Sequence, residues 1–386
     1  MCDTGKPRLL WIEINSFDIS VNKAPRLETM AYLSRDFDVH FLTAWSDSRP
    51  ALMLCGHPIE YFPQIGRGLI QKISRRIMMR GAACEKIAHL KPNIILLNCL
   101  NNFGMIRSVW KASYKIGCKT LLDVRTLPTC ENTDPAWKTF ENSLRFASYN
   151  FDGITYITEE MKRYCIKRYE LPEHLSVIWS SGVNEELFQY VEKSFPDDEP
   201  FRLIYHGGSI CISRGLDRLI QSIDRVRDID VQLILISSKR ETAVIEWINR
   251  LNLKDRIDLV ETIPHESIPM QIQRCHAGIL PFPNRDVWNT SSPIKLFEYL
   301  ACGKPVIVTD IPAHRNVLEQ NPFAFFSSDA SPDSLAGAIR CAYAARGSFT
   351  ELGKMARQQA LKFHTWARQA ENLGTFLKDI LGKGSV

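Results

Sequence analysis

Short apolar runs alternate with helical patterns twice over along this chain, and that alternation constrains its fold more than any other feature. The first series has apolar runs at 9–14, 39–43, 93–97, 120–124, 153–157 and 176–179, with helical patterns at 24–34 and 105–115 among them. Continuous apolar strands separated by helices predict a parallel sheet covered on both faces. The pattern stops at 192–200, a charged, proline-bearing stretch without periodicity. It then restarts with apolar runs at 201–205, 231–236, 257–260, 277–281 and 305–309, and with Leu216, Leu219, Ile220, Ile223 and Val226 at helical spacing. From Ser331 onward the pattern is helical. A single core rarely grows to 386 residues, so two domains are expected. The predicted fold class is α/β. One doubly wound domain covers 1–190, a linker 191–200, and a second doubly wound domain 201–365. A C-terminal helix over 366–386 packs back toward the first domain, and a cleft separates the two domains. Ligands of such sheets sit at the carboxyl ends of the strands.

Composition removes several classes of protein. At 45% hydrophobic and 24% charged, the chain reads as an ordinary globular protein. No apolar run reaches the roughly 18–20 residues that span a bilayer, and the polar start Met1 to Lys6 leads straight into the first apolar run, unlike a secretory signal. The 11 cysteines are scattered singly, with no Cys-x-x-Cys pair. That argues against a disulfide framework and a zinc site, and suits a reducing cytosol. The net charge of +5 does not by itself indicate nucleic-acid binding. Its distribution is uneven. Arg67, Lys72, Arg75, Arg76, Arg80, Lys86 and Lys91 face Glu85 alone within 67–91. Leu69, Ile70, Ile73 and Ile77 lie on one face of that stretch, so it reads either as a helix lying on anionic lipid or as a solvated helix packed on its domain.

Two segments carry candidate chemistry. In Tyr205-His206-Gly207-Gly208-Ser209-Ile210-Cys211-Ile212-Ser213-Arg214-Gly215, a strand runs through a glycine pair and a loop into an amphipathic helix. Glycines let a ligand approach the backbone, amides there favour phosphate, and Arg214 can bind phosphate oxygens. The alternative is a tight turn with a solvated arginine. The G-x-G-x-x-G and P-loop patterns are absent from the chain. In Asn289-Thr290-Ser291-Ser292-Pro293-Ile294-Lys295-Leu296-Phe297-Glu298-Tyr299-Leu300-Ala301-Cys302-Gly303-Lys304-Pro305, Ser292 is expected as N-cap, Pro293 as the first helical residue and Gly303 as the stop. Lys295 in the first turn opposes the helix dipole, which makes sense where an anion binds. Glu298 lies one to two turns in, where a carboxylate could accept both hydroxyls of a ribose. The plainer reading is a capped helix with Lys295 and Glu298 solvated.

The second segment resembles the nucleotide-sugar signature P-x-K-x-x-E-Y-L-A-x-G-K-P-V of the group 1 glycosyltransferases (family 4, retaining, GT-B fold). Other stretches resemble that family in the same order: Ser181-Gly182-Val183-Asn184 with Phe188, the loop Gly208 to Gly215, Pro264-His265-Glu266-Ser267-Ile268-Pro269, and Phe363-His364-Thr365-Trp366. The resemblance implies two Rossmann-like domains facing across a cleft. It implies a UDP- or GDP-sugar donor and transfer with retention to a glycan, lipid-linked or small-molecule acceptor, with no required metal or other cofactor and no nucleic-acid partner. It further implies a cytoplasmic enzyme of cell-surface polysaccharide or glycoconjugate synthesis, stationed at the inner membrane face if the basic stretch binds lipid. Carried over, Glu298 binds the ribose. Arg214 holds the diphosphate, Gly207, Gly208 and Ser209 give it room, and Ser291, Ser292, Pro293 and Lys295 face the phosphates or the sugar. Pro264 and His265 pass the base. Asn22 and Arg26 resemble part of a loop that closes over the donor.

Asp123 either acts on the acceptor hydroxyl or is ion-paired with Arg125. With Arg214 and Lys295, these two complete the candidate catalytic set. The chain departs from the family at Thr290, where a glutamate is common, and at Ser209, where an arginine is common. Arg214 and Lys295 are left as the main diphosphate charges. Two other functions fit the same fold: a nucleotide-sugar 2-epimerase, and a non-catalytic protein that keeps the nucleotide pocket.

Overall fold

The computed structural model describes residues 5–16, 23–44, 53–54, 57–62, 68–98, 102–130, 134–192, 196, 199–237 and 239–382, with the backbone alone at 15–16, 23–25, 53–54, 57–58 and 68–76. The chain forms two compact units. One comprises Met1–Ser181 with Trp366–Val386, and the other Gly182–Thr365.

The first unit is built on strands β1 (Arg8–Ser16), β2 (Asp38–Ala44), β3 (Met53–Leu54), β4 (His57–Phe62), β5 (Ile94–Asn98), β6 (Lys119–Val124), β7 (Gly153–Tyr156) and β8 (Ser176–Ile178). Their order is β3-β4-β2-β1-β5-β6-β7-β8. All pairings are parallel except the β3–β4 hairpin. β1 is central because Leu9, Leu10, Trp11 and Ile12 are apolar on both faces and fully buried. The strand order reverses between β1 and β5, so the carboxyl ends meeting there carry Glu13, Asn98 and, one strand on, Asp123.

The second unit carries β9 (Phe201–His206), β10 (Val231–Ile236), β11 (Ile257–Val260), β12 (Ala277–Leu280), β13 (Val306–Thr309) and β14 (Ala324–Ser327) in the all-parallel order β11-β10-β9-β12-β13-β14. This is the doubly wound order, with its switch point between β9 and β12. Both sheets arise where the apolar runs predict them. The hairpin β3–β4 and the edge strand β14 are additions to the strands read from the apolar runs.

The units divide ahead of the 191–200 stretch read as linker. Residues 182–190 pack in the second unit because Arg357 donates to the carbonyls of Glu185, Phe188 and Ala301, satisfying irregular backbone that would otherwise be unpaired. The last helix, Trp366–Gly382, belongs to the first unit. Lys378 pairs with Asp36 at 2.7 Å, and Gln369 Oε1 accepts from the Ser180 amide at 2.7 Å.

Candidate functional site

The switch point of the second sheet gathers the donor-site candidates. β9 ends at His206 and turns at Gly207, where an added Cβ would lie 2.7 Å from Lys295 Nζ. A short 3-10 turn, Ile212–Arg214, follows. It closes at Gly215, whose φ of 78° and 2.1 Å clearance from a Cβ position to the Pro281 carbonyl admit only glycine. This locks the loop after β9 onto the loop after β12. Trp288 Nε1 donates to the Ser213 carbonyl at 2.7 Å, and Trp288 stacks on Phe282 at 4.8 Å.

Arg214 and Lys295 rest on this aromatic floor. The Arg214 guanidinium lies 4.9 Å from the Trp288 ring centre, and Lys295 Nζ lies 4.6 Å from that of Tyr205. Both cations also approach Phe282, at 5.9 and 5.6 Å. Among the described residues, neither has a carboxylate within 4 Å. Burial first, and then the nearby Arg214 charge, pull the Lys295 ammonium down to about 7 against the smaller opposing effect of Glu298. The result is a positive hollow lined by one buried and one half-buried cation.

Glu298 stands beside it on the helix Ile294–Ala301, 3% exposed. His265 Nε2 lies 2.8 Å from Oε1, and His206 Nε2 lies 3.2 Å from Oε2. Burial works to raise its pKa. The two imidazoles outweigh that and hold the carboxylate down at about 2. The helix ends as predicted at Gly303, with φ 67°. The amides of Gly303 and Lys304 return to the carbonyls of Leu300 and Tyr299.

The helix start differs by one residue from the sequence expectation. Pro293 is the N-cap, and no side chain caps the first turn. Thr290 and Ser291 turn their hydroxyls back to the carbonyls of Asp286 and Trp288, at 2.8 and 2.7 Å, because those carbonyls end the preceding short helix Asp286–Asn289. Ser292 and Pro293 are buried, Gly208 and Pro264 are exposed, and Ser209 Oγ lies 3.5 Å from Cys211 Sγ. The structure thus brings Gly207, Arg214, His265, Lys295 and Glu298 together.

The first unit's candidates form a different kind of cluster. Asp123 is fully buried and accepts from Thr155 Oγ1 at 2.7 Å, Trp179 Nε1 at 3.0 Å and Asn98 Nδ2 at 3.4 Å. Its ion partner is Arg26, at 3.8 Å, and not Arg125, the partner in one of the two sequence readings of Asp123. Arg125 instead donates to the carbonyls of Trp179 and Ser180 and lies 3.9 Å over the Trp179 ring. Burial lowers its pKa to about 10, against the opposing pull of Asp123. Arg26 also binds Glu13 at 2.8 Å. Asn22 and Arg67 lie outside the described residues. The helix Gly68–Leu90 carries the remaining basic residues of 67–91 up to Lys86.

Sequence reasoning missed Glu13, although a carboxylate closing the apolar run 9–12 signals a buried charge. It also assigned no role to His206, because its partner Glu298 is far away in the chain. Among the described residues, no group of three His, Cys, Asp or Glu could hold a metal ion.

Residues 200–345 match the family model described as Glycosyl transferases group 1. Solved structures agree in fold over nearly the whole chain. Sucrose-phosphate synthase from Thermosynechococcus elongatus superposes with a TM-score of 0.80 at 16% identity, covering 98% of this chain and 100% of that one. A glycosyltransferase from Rickettsia africae gives 0.76 at 15%, covering 98% and 100%. Anabaena HepE, solved in complex with UDP, gives 0.74 at 13%, covering 96% and 100%. No curated protein matches by sequence. The fold is GT-B, with two Rossmann-like units, and residues 200–345 are the part of the chain that is similar to group 1 glycosyltransferases. The chain is an enzyme of the transferase class.

Proposed function

With that similarity to group 1 glycosyltransferases as the premise, we propose that this chain takes a sugar from a UDP- or GDP-sugar and passes it, with retention at the anomeric carbon, to a glycan or lipid-linked acceptor. The observation that carries this reading is the pair of cations Arg214, half-buried, and Lys295, buried, which have no carboxylate within 4 Å among the described residues; Lys295 lies one helical turn from the buried Glu298. A ribose at Glu298 sets the diphosphate beside the cations. Breaking the sugar–phosphate bond leaves charge on the diphosphate, and donors already aimed at that position stabilise it without reorganising. Two positive side chains there can do the work that a metal does elsewhere, so we assign no metal or other cofactor. Turnover that survives chelation checks this, and turnover restored only by a divalent ion would overturn it. Retention is supported by the family 4 signature around Glu298, and the UDP and UDP-glucose complexes of HepE favour a nucleoside-diphosphate sugar as donor.

The acceptor is assigned to the first unit as the half of the chain that does not carry the donor site; Arg26, expected in a loop closing over the donor, lies instead in the helix Lys23–Leu33, buried against Glu13 and Asp123. Synthesis of cell-surface glycoconjugates at the cytoplasmic face is the setting that fits such an acceptor. A thermal-shift screen across UDP-, GDP-, ADP- and TDP-sugars tests the donor half, because a ligand that binds only the folded state raises its melting temperature. Stabilisation by UDP- or GDP-sugars, lost in Glu298→Ala, supports the site. Equal stabilisation of that variant sinks it.

A further inference from the structure

The positive charge of the chain is concentrated on two neighbouring helices of the first unit. Gly68–Leu90 and Phe103–Lys115 hold eight Lys and Arg against Glu85 alone, an excess of seven in a chain whose net charge is +5. The rest of the molecule is therefore slightly acidic. The helices pack directly on one another. The Arg80 guanidinium lies over Gly104, and Cys84 Sγ donates to the Ser108 carbonyl at 3.8 Å.

The helix Phe103–Lys115 contains no carboxylate, and its two faces differ. Met105, Ile106, Val109 and Ser113 are buried. Helical spacing puts Phe103, Arg107, Trp110, Lys111, Tyr114 and Lys115 on the opposite side. Trp110 is half-buried, lying 5.5 Å from Tyr114 and 5.5 Å from Phe146, with its Nε1 donating to the Asn150 carbonyl. That contact joins the aromatic edge to the end of the helix Pro135–Asn150, where Tyr149 is 72% exposed. Tyr114 is 74% exposed, and Ile77, one turn before Arg80, is 65% exposed. On the adjoining helix Pro135–Asn150, by contrast, Arg145 pairs with Glu141. Among the described residues, Arg80, Arg107, Lys111 and Lys115 have no carboxylate within 4 Å.

We propose that this face docks on an anionic lipid bilayer. Unpaired bases are drawn to a negative membrane surface, tyrosine and tryptophan favour the headgroup layer, and an exposed isoleucine gains by leaving water. No helix among the described residues is long and apolar enough to cross a membrane, so the contact is peripheral. This surface belongs to the first unit and the donor site to the second, and the proposal does not depend on the donor assignment.

Co-sedimentation of the full-length protein with vesicles of phosphatidylglycerol and phosphatidylcholine, against phosphatidylcholine alone, tests it. Wild type binds the anionic vesicles, less so as salt rises, and leaves the neutral ones. The triple variant Arg107→Glu, Lys111→Glu, Lys115→Glu loses about a hundredfold in partitioning, from about fivefold for each base. The milder Gln triple loses nearly as much, and Tyr114→Ser with Tyr149→Ser loses less while keeping the salt dependence. All variants keep the wild-type melting temperature, which separates docking from folding. Unchanged partitioning of both triple variants overturns the proposal, as does equal binding to neutral vesicles. Wild type that ignores vesicles but binds heparin through these bases also overturns it, and reassigns the face to an acidic macromolecule.

Discussion

Both units gather buried charge at the carboxyl ends of their sheets, but they balance it differently. In the first unit Arg26 lies between Glu13 and Asp123, and Arg125 is bonded to two carbonyls. In the second, Arg214 and Lys295 rest on aromatic rings with no carboxylate within 4 Å among the described residues. A compensated buried network specifies and holds a structure. An uncompensated one raises the energy of the empty protein and is relieved when an anion arrives. The comparison separates a scaffold from a binding site made of the same residue types.

Breaking each cluster should therefore give different losses. The largest effect is expected from Arg26→Met, which leaves Glu13 and Asp123 buried without their cation. Roughly 3–5 kcal/mol of stability should be lost, read by chemical denaturation. A variant as stable as wild type would show that the first cluster is not a scaffold. Arg214→Ala and Lys295→Ala should melt near wild type yet lose roughly 10²–10³-fold in kcat. Loss of folding instead would erase the contrast between the units. Gly215→Ala forces a side chain onto the Pro281 carbonyl at a positive φ, at a cost of about 1–3 kcal/mol. By displacing Arg214 it should weaken donor binding as well, read by calorimetry.

The smallest effect is the most specific. Lys295 loses its proton near pH 7 in the empty fold, well below an ordinary lysine. Between about 7 and the usual lysine range, the unfolded chain binds more protons than the folded one, so this group makes stability rise with pH across that window. Donor affinity should move the other way, falling roughly fivefold between pH 7 and 8 as the cation disappears. Glu298, held at about 2, stays charged throughout and contributes nothing there. Lys295→Met should flatten both trends. A pH dependence unchanged in that variant would place the titration elsewhere.

How much of this was legible in the sequence varies by element. Runs such as 231–236 state their burial through continuous apolar residues, while β14 (Ala324–Ser327) lies at the sheet edge, is mostly half-buried and does not. Lys295 and Glu298 stood out because both sit on one helix three residues apart. The histidines on Glu298 did not, since neither His206 nor His265 is near it in the chain. Arg26 reads as a loop cation until β1 and β6 bring Glu13 and Asp123 to it. The reading that paired Asp123 with Arg125 rested on their closeness along the chain. Alternate residues of a strand point to opposite faces, but what each then meets depends on other strands.

By itself the sequence determined the two parallel sheets, the glycine stop at Gly303 and the local pattern around Lys295 and Glu298. Those depend on periodicity, backbone freedom and short-range spacing. Only the tertiary structure decided which buried charges are compensated. Desolvation and pairing are set by neighbours in space, and those neighbours come from distant segments: Glu13 with Arg26, His206 with Glu298, and Lys295 with the rings of Tyr205 and Phe282.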